Sequence, residues 1–221
     1  MRPTRMRFVT MTMWTAATLM LVSFGCQVPT KTKPAPSESG DPNYPTPTSP
    51  AMVLANLQKA YVSKNYDQYI ALLDSSFVFV LSPKDVAQDP TMPEQWKLPT
   101  ERLIHQRMFQ DTTVENITLS FNSLPPAELD TLQYSGRNYW KVRVDGIHLD
   151  VWVRRDQLWD YKVPSGTGDF YMSPDSSRMV GGAPVWRIMV WADEPIGSTL
   201  RPAGDKVKQL TWGKFKFYYA S

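Results

Sequence analysis

The chain holds two histidines, His105 and His148, and one cysteine, Cys26. Few of its side chains can therefore titrate near neutrality or act as a soft nucleophile. His105 stands three and four residues before Met108 and Phe109, so it borders the apolar face of a helix. A histidine there is either a base or ligand contact in a pocket, or a hydrogen-bonded residue at a core edge. His148 and Asp150 are two apart on one strand, opposite Ile147, Leu149, Val151 and Val153. They could form an acid/base dyad with Trp152 as a stacking wall. If the aliphatic face is the core, they lie on the outer, solvated side, and that is the weightier reading.

The acids offer no telling pair. Asp145 suits a turn, Asp156, Asp160 and Asp169 suit loops, and Asp193 ends a strand. Two distant histidines and one cysteine make no metal-ligand set, and no nucleophile elbow or phosphate-binding loop is present. No catalytic residue, metal or cofactor is assigned, and the balance favours a protein that is not an enzyme. The tryptophans carry more information. Trp96, Trp140, Trp152, Trp159, Trp186, Trp191 and Trp212 are seven of the eight, and most suit a core. Trp152 and Trp159 fall outside the aliphatic register. They would either form an exposed aromatic contact for a sugar, peptide or protein, or pack beneath the C-terminal segment.

The ends of the chain say where these groups work. Arg2, Arg5 and Arg7 precede an uncharged, mostly apolar run, Phe8 to Phe24, and Gly25-Cys26 follows. This is the order of a secretory signal peptide, and with cysteine at its end it resembles a bacterial lipoprotein signal. The resemblance implies cleavage before Cys26, acylation of that cysteine, and anchoring to a bacterial membrane on its periplasmic or cell-surface side. The run is short for a spanning helix, which needs ~20 apolar residues. The whole chain has 24 Lys+Arg and 21 Asp+Glu. Without the three leading arginines it carries 21 of each, so the charge argument for a nucleic-acid partner fails. A single cysteine allows no intrachain disulfide.

Residues 26–48 contain Pro29, Pro34, Pro36, Pro42, Pro45 and Pro47 among Thr, Ser, Lys and Gly. Such a stretch buries too little to offset its ordering entropy and is expected to be a disordered tether. Residues 49–221 then make one domain. Ser49-Pro50 opens a helix carrying Val53, Leu54, Leu57, Ala60 and Tyr61 on one face. A second helix over Tyr66 to Leu73 and a strand over Phe77 to Leu81 follow, then a proline-punctuated loop holding Trp96. Thr100 caps a third helix with Leu103, Ile104, Met108 and Phe109. Beyond Thr112 the period becomes two. Strands are expected over Ile117 to Phe121, Trp140 to Val144, Ile147 to Val153, Tyr161 to Met172 and Val185 to Ala192, with Asp145-Gly146 as a hairpin turn. Lys214 and Lys216 alternate with Phe215 and Phe217, which favours a strand. Trp212, Phe215 and Tyr219 would nevertheless share a helix face.

Helix, helix, short strand, helix and a run of strands resembles the nuclear transport factor two-like, or SnoaL-like, α+β fold over about Ser49 to Asp193. The closing pattern from Trp186 to Trp191-Ala192-Asp193 looks like the last core strand of such domains. The resemblance implies a cone-shaped, cystatin-like roll, its N-terminal helices packed on a curved antiparallel sheet. The segment from about residue 194 departs from that minimal fold as a C-terminal extension, expected to add a strand or a helix over one sheet edge. It also implies a pocket, and Trp96, His105, Phe109, Tyr161, Tyr171 and Trp186 are its candidate lining. His148, Asp150, Trp152 and Trp159 are the candidate surface. The expected role is an envelope-anchored binding or protein-interaction module, partnered by the membrane through Cys26 and by an envelope protein or small ligand. The alternative is a SnoaL-like enzyme acting on a small ligand. Many such domains pair through the sheet, which makes a homodimer an expectation too.

Overall fold

A computed structural model describes residues 43–124, 128–134, 137–195 and 207–220, all within one compact unit that begins near residue 39. The hydrophobic run, Cys26 and most of the proline-rich stretch lie outside the described residues. Ser49 caps α1 (Pro50–Val62), its side chain accepting from the Met52 amide, with Pro50 at the first helical position. Val53, Leu54, Leu57, Ala60 and Tyr61 are wholly buried, and each large aliphatic among them contributes about 1.5–3 kcal/mol by leaving water. Asn65 caps α2 (Tyr66–Ala71) in the same manner.

The chain then runs through β1 (Leu73–Val80), α3 (Pro83–Gln88), β2 (Gln95–Lys97), α4 (Leu98–Gln110), β3 (Val114–Phe121), β4 (Glu128–Tyr134), β5 (Arg137–Arg154), β6 (Leu158–Val180), β7 (Ala183–Pro195), β8 (Val207–Gln209) and α5 (Trp212–Ala220). The strands make one sheet in the order β2-β1-β7-β6-β5-β3, with β4 on β5 and β8 on β6. It is antiparallel except where β1 meets β7 and β8 meets β6. The sheet is curved and unclosed, with the helices packed on its inner face: an α+β roll of the expected class.

Several local expectations need correction. Asp145-Gly146 is not a hairpin turn. β5 runs straight through it, and Gly146 (φ 66°) forms a bulge at which the pairing with β6 shifts. A Cβ on Gly146 would meet the Asn122 side chain at 2.0 Å, so glycine serves here for close approach as well as for its dihedral. Hairpin turns instead lie at residues 155–157, between β5 and β6, and at Gly181-Gly182, between β6 and β7, both of these glycines with positive φ. The expected loop before α4 contains α3 and β2, and Thr100 lies inside α4 rather than capping it. β4 has no counterpart among the expected strands.

Two further corrections concern the ends of the domain. Residues 43–48 are docked rather than loose. Asn56 Nδ2 donates to the Pro45 carbonyl at 2.7 Å, and the Trp186 amide donates to the Pro47 carbonyl at 2.8 Å. Residues 212–220 are helix α5, not a strand, because Trp212, Phe215, Lys216 and Tyr219 lie on one helical face and all are buried.

Candidate functional site

The inner face of the sheet converges on a buried carboxylate. α4 is amphipathic with a polar intrusion, since Glu101, Ile104, His105 and Met108 share its inward face and are all fully buried. Glu101 Oε1 accepts from the Tyr69 hydroxyl, supplied by α2, and from Lys216 Nζ at 2.6 Å, supplied by α5. Its Oε2 accepts from Trp96 Nε1 of β2 at 2.5 Å. His105 Nδ1 lies 3.0 Å from the Glu101 carbonyl, so that nitrogen carries the proton, and Nε2 accepts from the Tyr61 hydroxyl at 2.6 Å. The imidazole also stacks on Tyr69 with centroids 3.9 Å apart. Every polar atom of the Glu101–His105 pair thus has a partner from the chain itself.

Burial sets the protonation states. Desolvation holds His105 neutral, its pKa lowered to about 3, against the pull of Glu101. Burial alone would raise the Glu101 pKa, but Lys216, His105 and the Tyr69 bond together hold it below the ordinary range. Burial lowers Lys216 to about 8, opposed by Glu101, so the ammonium persists at neutral pH. A second carboxylate stands at the start of α5. Asp193 Oδ2 accepts from the Gly213 amide at 2.8 Å, and burial raises the Asp193 pKa to about 7.

The ammonium of Lys216 is also enclosed by rings. Its Nζ lies 3.9 Å from the ring centroids of both Phe79 and Trp191, and 6.0 Å from that of Trp212. Phe79 stacks on Trp96 at 4.6 Å, and Trp191 packs against Phe170 at 4.7 Å and Trp212 at 4.6 Å. The arrangement is a closed carboxylate–ammonium pair inside an aromatic box. With all of these residues buried, no outside molecule reaches His105 or Glu101 in this state.

The expected interior residues separate accordingly. Trp96, His105 and Phe109 meet in the interior. Tyr161 is buried beside Phe215 of α5, farther along the sheet. Tyr171 is not part of the interior: Phe170 and Met172 point inward, so Tyr171 points out, where Lys141 lies 5.5 Å over its ring. Trp186 packs edge-on to Trp140 at 5.9 Å.

On the outside, His148, Asp150 and Trp152 share the half-exposed face of β5, and Asp150 faces Lys162 at 3.5 Å. Trp159 does not join Trp152. It pairs in register with Val153, an inward residue, and Lys208 lies 4.7 Å over its ring. The expected aromatic pair is therefore split between the two faces. Among the described residues no group of three or more His, Cys, Asp or Glu is placed to hold a metal ion, and no helix is long and apolar enough to cross a membrane.

Sequence reasoning named Trp96, His105 and Phe109 for the interior but gave no site role to Glu101, Tyr61, Tyr69, Asp193, Trp191, Trp212 and Lys216. A signal was present. Glu101 sits four residues before His105, and Lys216 one residue after Phe215, each on an apolar helical stripe. One acid and one base misplaced on two such stripes can answer each other.

No family model and no curated protein matches the chain. Solved structures of similar architecture do. A protein from Shewanella denitrificans named as a SnoaL-like polyketide cyclase is 10% identical, with 65% of this chain and 88% of that one covered and a TM-score of 0.40. An LEH-like epoxide hydrolase from Mycobacterium tuberculosis is 12% identical, covering 64% and 77%, with a TM-score of 0.40. A domain of unknown function with a cystatin-like fold from Nostoc punctiforme is 11% identical, covering 66% and 75%, with a TM-score of 0.41. These likenesses concern architecture alone.

Proposed function

We propose that this chain is an envelope protein, lipid-anchored at Cys26, whose domain binds a partner or small molecule and performs no chemistry in its resting state. The observation that supports this most is the saturation of the Glu101–His105 pair. Both carboxylate oxygens and both imidazole nitrogens are engaged by the chain's own groups, at full burial. A general acid or base needs a free position within hydrogen-bond reach of a substrate, and here Tyr61 takes that position on His105 while Tyr69, Trp96 and Lys216 take those on Glu101. The signal-like run and Cys26 support the anchor.

The rival reading is a SnoaL-like enzyme acting on a small ligand. One observation favours it: a histidine, a carboxylate and two tyrosines gather where purely apolar residues would fill the core as well.

The test is expression of the full chain in a bacterial host beside a Cys26→Ser variant. The wild type should fractionate with membranes and give an N-terminal peptide that begins at Cys26 and carries acyl mass, while the variant should leave the membrane. An unmodified Cys26 overturns the anchor. The same preparation is then run under native and denaturing conditions. A protein or small molecule lost on denaturation supports binding, and a chain bare under both conditions overturns it.

A further inference from the structure

The enclosure of Lys216 Nζ has the composition of a receptor for ammonium groups: aromatic faces close to the cation and one carboxylate to receive an N–H. We propose that Phe79, Trp191 and Glu101 form a binding site for a primary alkylammonium ligand, and that α5 keeps Lys216 in it as an internal occupant which such a ligand displaces. This goes beyond the anchored-binding reading and does not depend on Cys26.

Three features carry the proposal. The site belongs to the frame and not to the helix that fills it. Phe79 lies on β1, Trp191 on β7 and Glu101 on α4, and only Lys216 and the more distant Trp212 come from α5. The frame also orients its own groups. Trp96 stacks on Phe79 and donates to Glu101 Oε2, while Tyr69 donates to Oε1. Neither donor carries a charge, so the buried carboxylate keeps its own charge only with a cation beside it and otherwise takes up a proton. The 2.6 Å contact from Nζ to Oε1 demands an N–H donor, which selects a primary ammonium over a quaternary one.

A purely structural role explains less. A buried ion pair is seldom better for stability than apolar residues of the same shape, because both charges lose their hydration. The occupant is also delivered by the element best suited to leave. α5 is nine residues long, too short to persist alone. Apart from its buried face, its contacts include the Gly213 amide donating to Asp193 Oδ2, Thr211 to Asp85, Lys214 Nζ to Gln88 Oε1 at 2.5 Å and to Asp85 at 3.4 Å, Arg155 over the Tyr218 ring at 5.4 Å, and Arg107 Nη1 to the carbonyls of Tyr219 and Ala220 at 3.1 Å each.

The test uses the detergent-solubilised full chain with Lys216→Ala, which removes the atoms of n-propylammonium and keeps Trp212 and Phe215. Added n-propylammonium should raise the thermal midpoint of the variant saturably. 1-Propanol and potassium chloride at matched concentration should not, and adding Glu101→Gln should abolish the response. The wild type should respond with an affinity lower by about tenfold or more, since Lys216 must first leave. At saturation its α5 amides should exchange faster with solvent. Equal effects of propanol and propylammonium overturn the site. Unchanged α5 exchange in a wild type that binds overturns the displacement. If Lys216→Ala does not fold unaided, its refolding yield with and without propylammonium reads the same quantity, and no gain overturns the proposal.

Discussion

The two faces of this sheet use the same kinds of charged residue under opposite conditions. On the inner face Glu101 and Lys216 are both fully buried, and their 2.6 Å contact is reinforced by Tyr69, Trp96 and two aromatic rings. On the outer face Lys162 reaches Asp160 at 3.0 Å and Asp150 at 3.5 Å with about a third of its side chain in water. Geometry barely separates the pairs; solvent does. Inside, each charge has given up its hydration and relies on its partner, so losing one strands the other. Outside, water and salt take over when a partner goes.

The largest effect should come from Glu101→Ala, which leaves the Lys216 ammonium unpaired in the core. A loss of about 3–5 kcal/mol is expected from urea denaturation, and the double variant Glu101→Gln, Lys216→Met should regain most of it. If the double variant is as unstable as the single one, the cost lies in packing and the comparison breaks.

A pH experiment sharpens the same contrast. Burial raises Asp193 to about 7, so the folded state binds a proton more tightly than the unfolded chain, and stability is gained as pH falls from 7 towards 4. Burial lowers His105 to about 3. Below about 6.5 the unfolded chain therefore takes up a proton that the folded state refuses, and stability is lost over the same range. The two slopes oppose each other. Asp193→Asn removes the gain and should expose the loss, about 1.4 kcal/mol per pH unit between 6.5 and 4.5. A variant whose stability profile runs parallel to the wild type would rule this out.

The smallest effect is expected outside. Lys162→Ala should change stability by less than about 1 kcal/mol, and salt should erase part of that. A larger, salt-insensitive loss in the same denaturation assay would show that the outer face is drier than its exposure implies.

How much of this could be read from the residues follows the same division. Signals local to a few residues were legible: Ser49-Pro50 at the start of α1 and the period-two strands after Thr112, though β7 runs past Asp193 to Pro195. Signals that need a distant partner were not. Asp145-Gly146 has the composition of a turn, but pairing with β6 on both sides keeps β5 continuous. Lys216 alternates like a solvated strand residue until Glu101, more than half the domain away in sequence, makes its burial tolerable. For the same reason Trp159 could not be assigned a face without its register against Val153.

The parallel pairing of β1 with β7 sets an order of events during folding. Phe79 lies beside Trp191 although the whole of β2 to β6 separates them in sequence. Contacts this distant in sequence close late. Until then Phe77-Val78-Phe79-Val80 is a short, uncharged, β-prone segment with an open edge, the kind of stretch that aggregates from unfolded chains. The antiparallel block of β3, β5 and β6 joins strands nearer in sequence, so β1 is the strand whose inner edge is covered last.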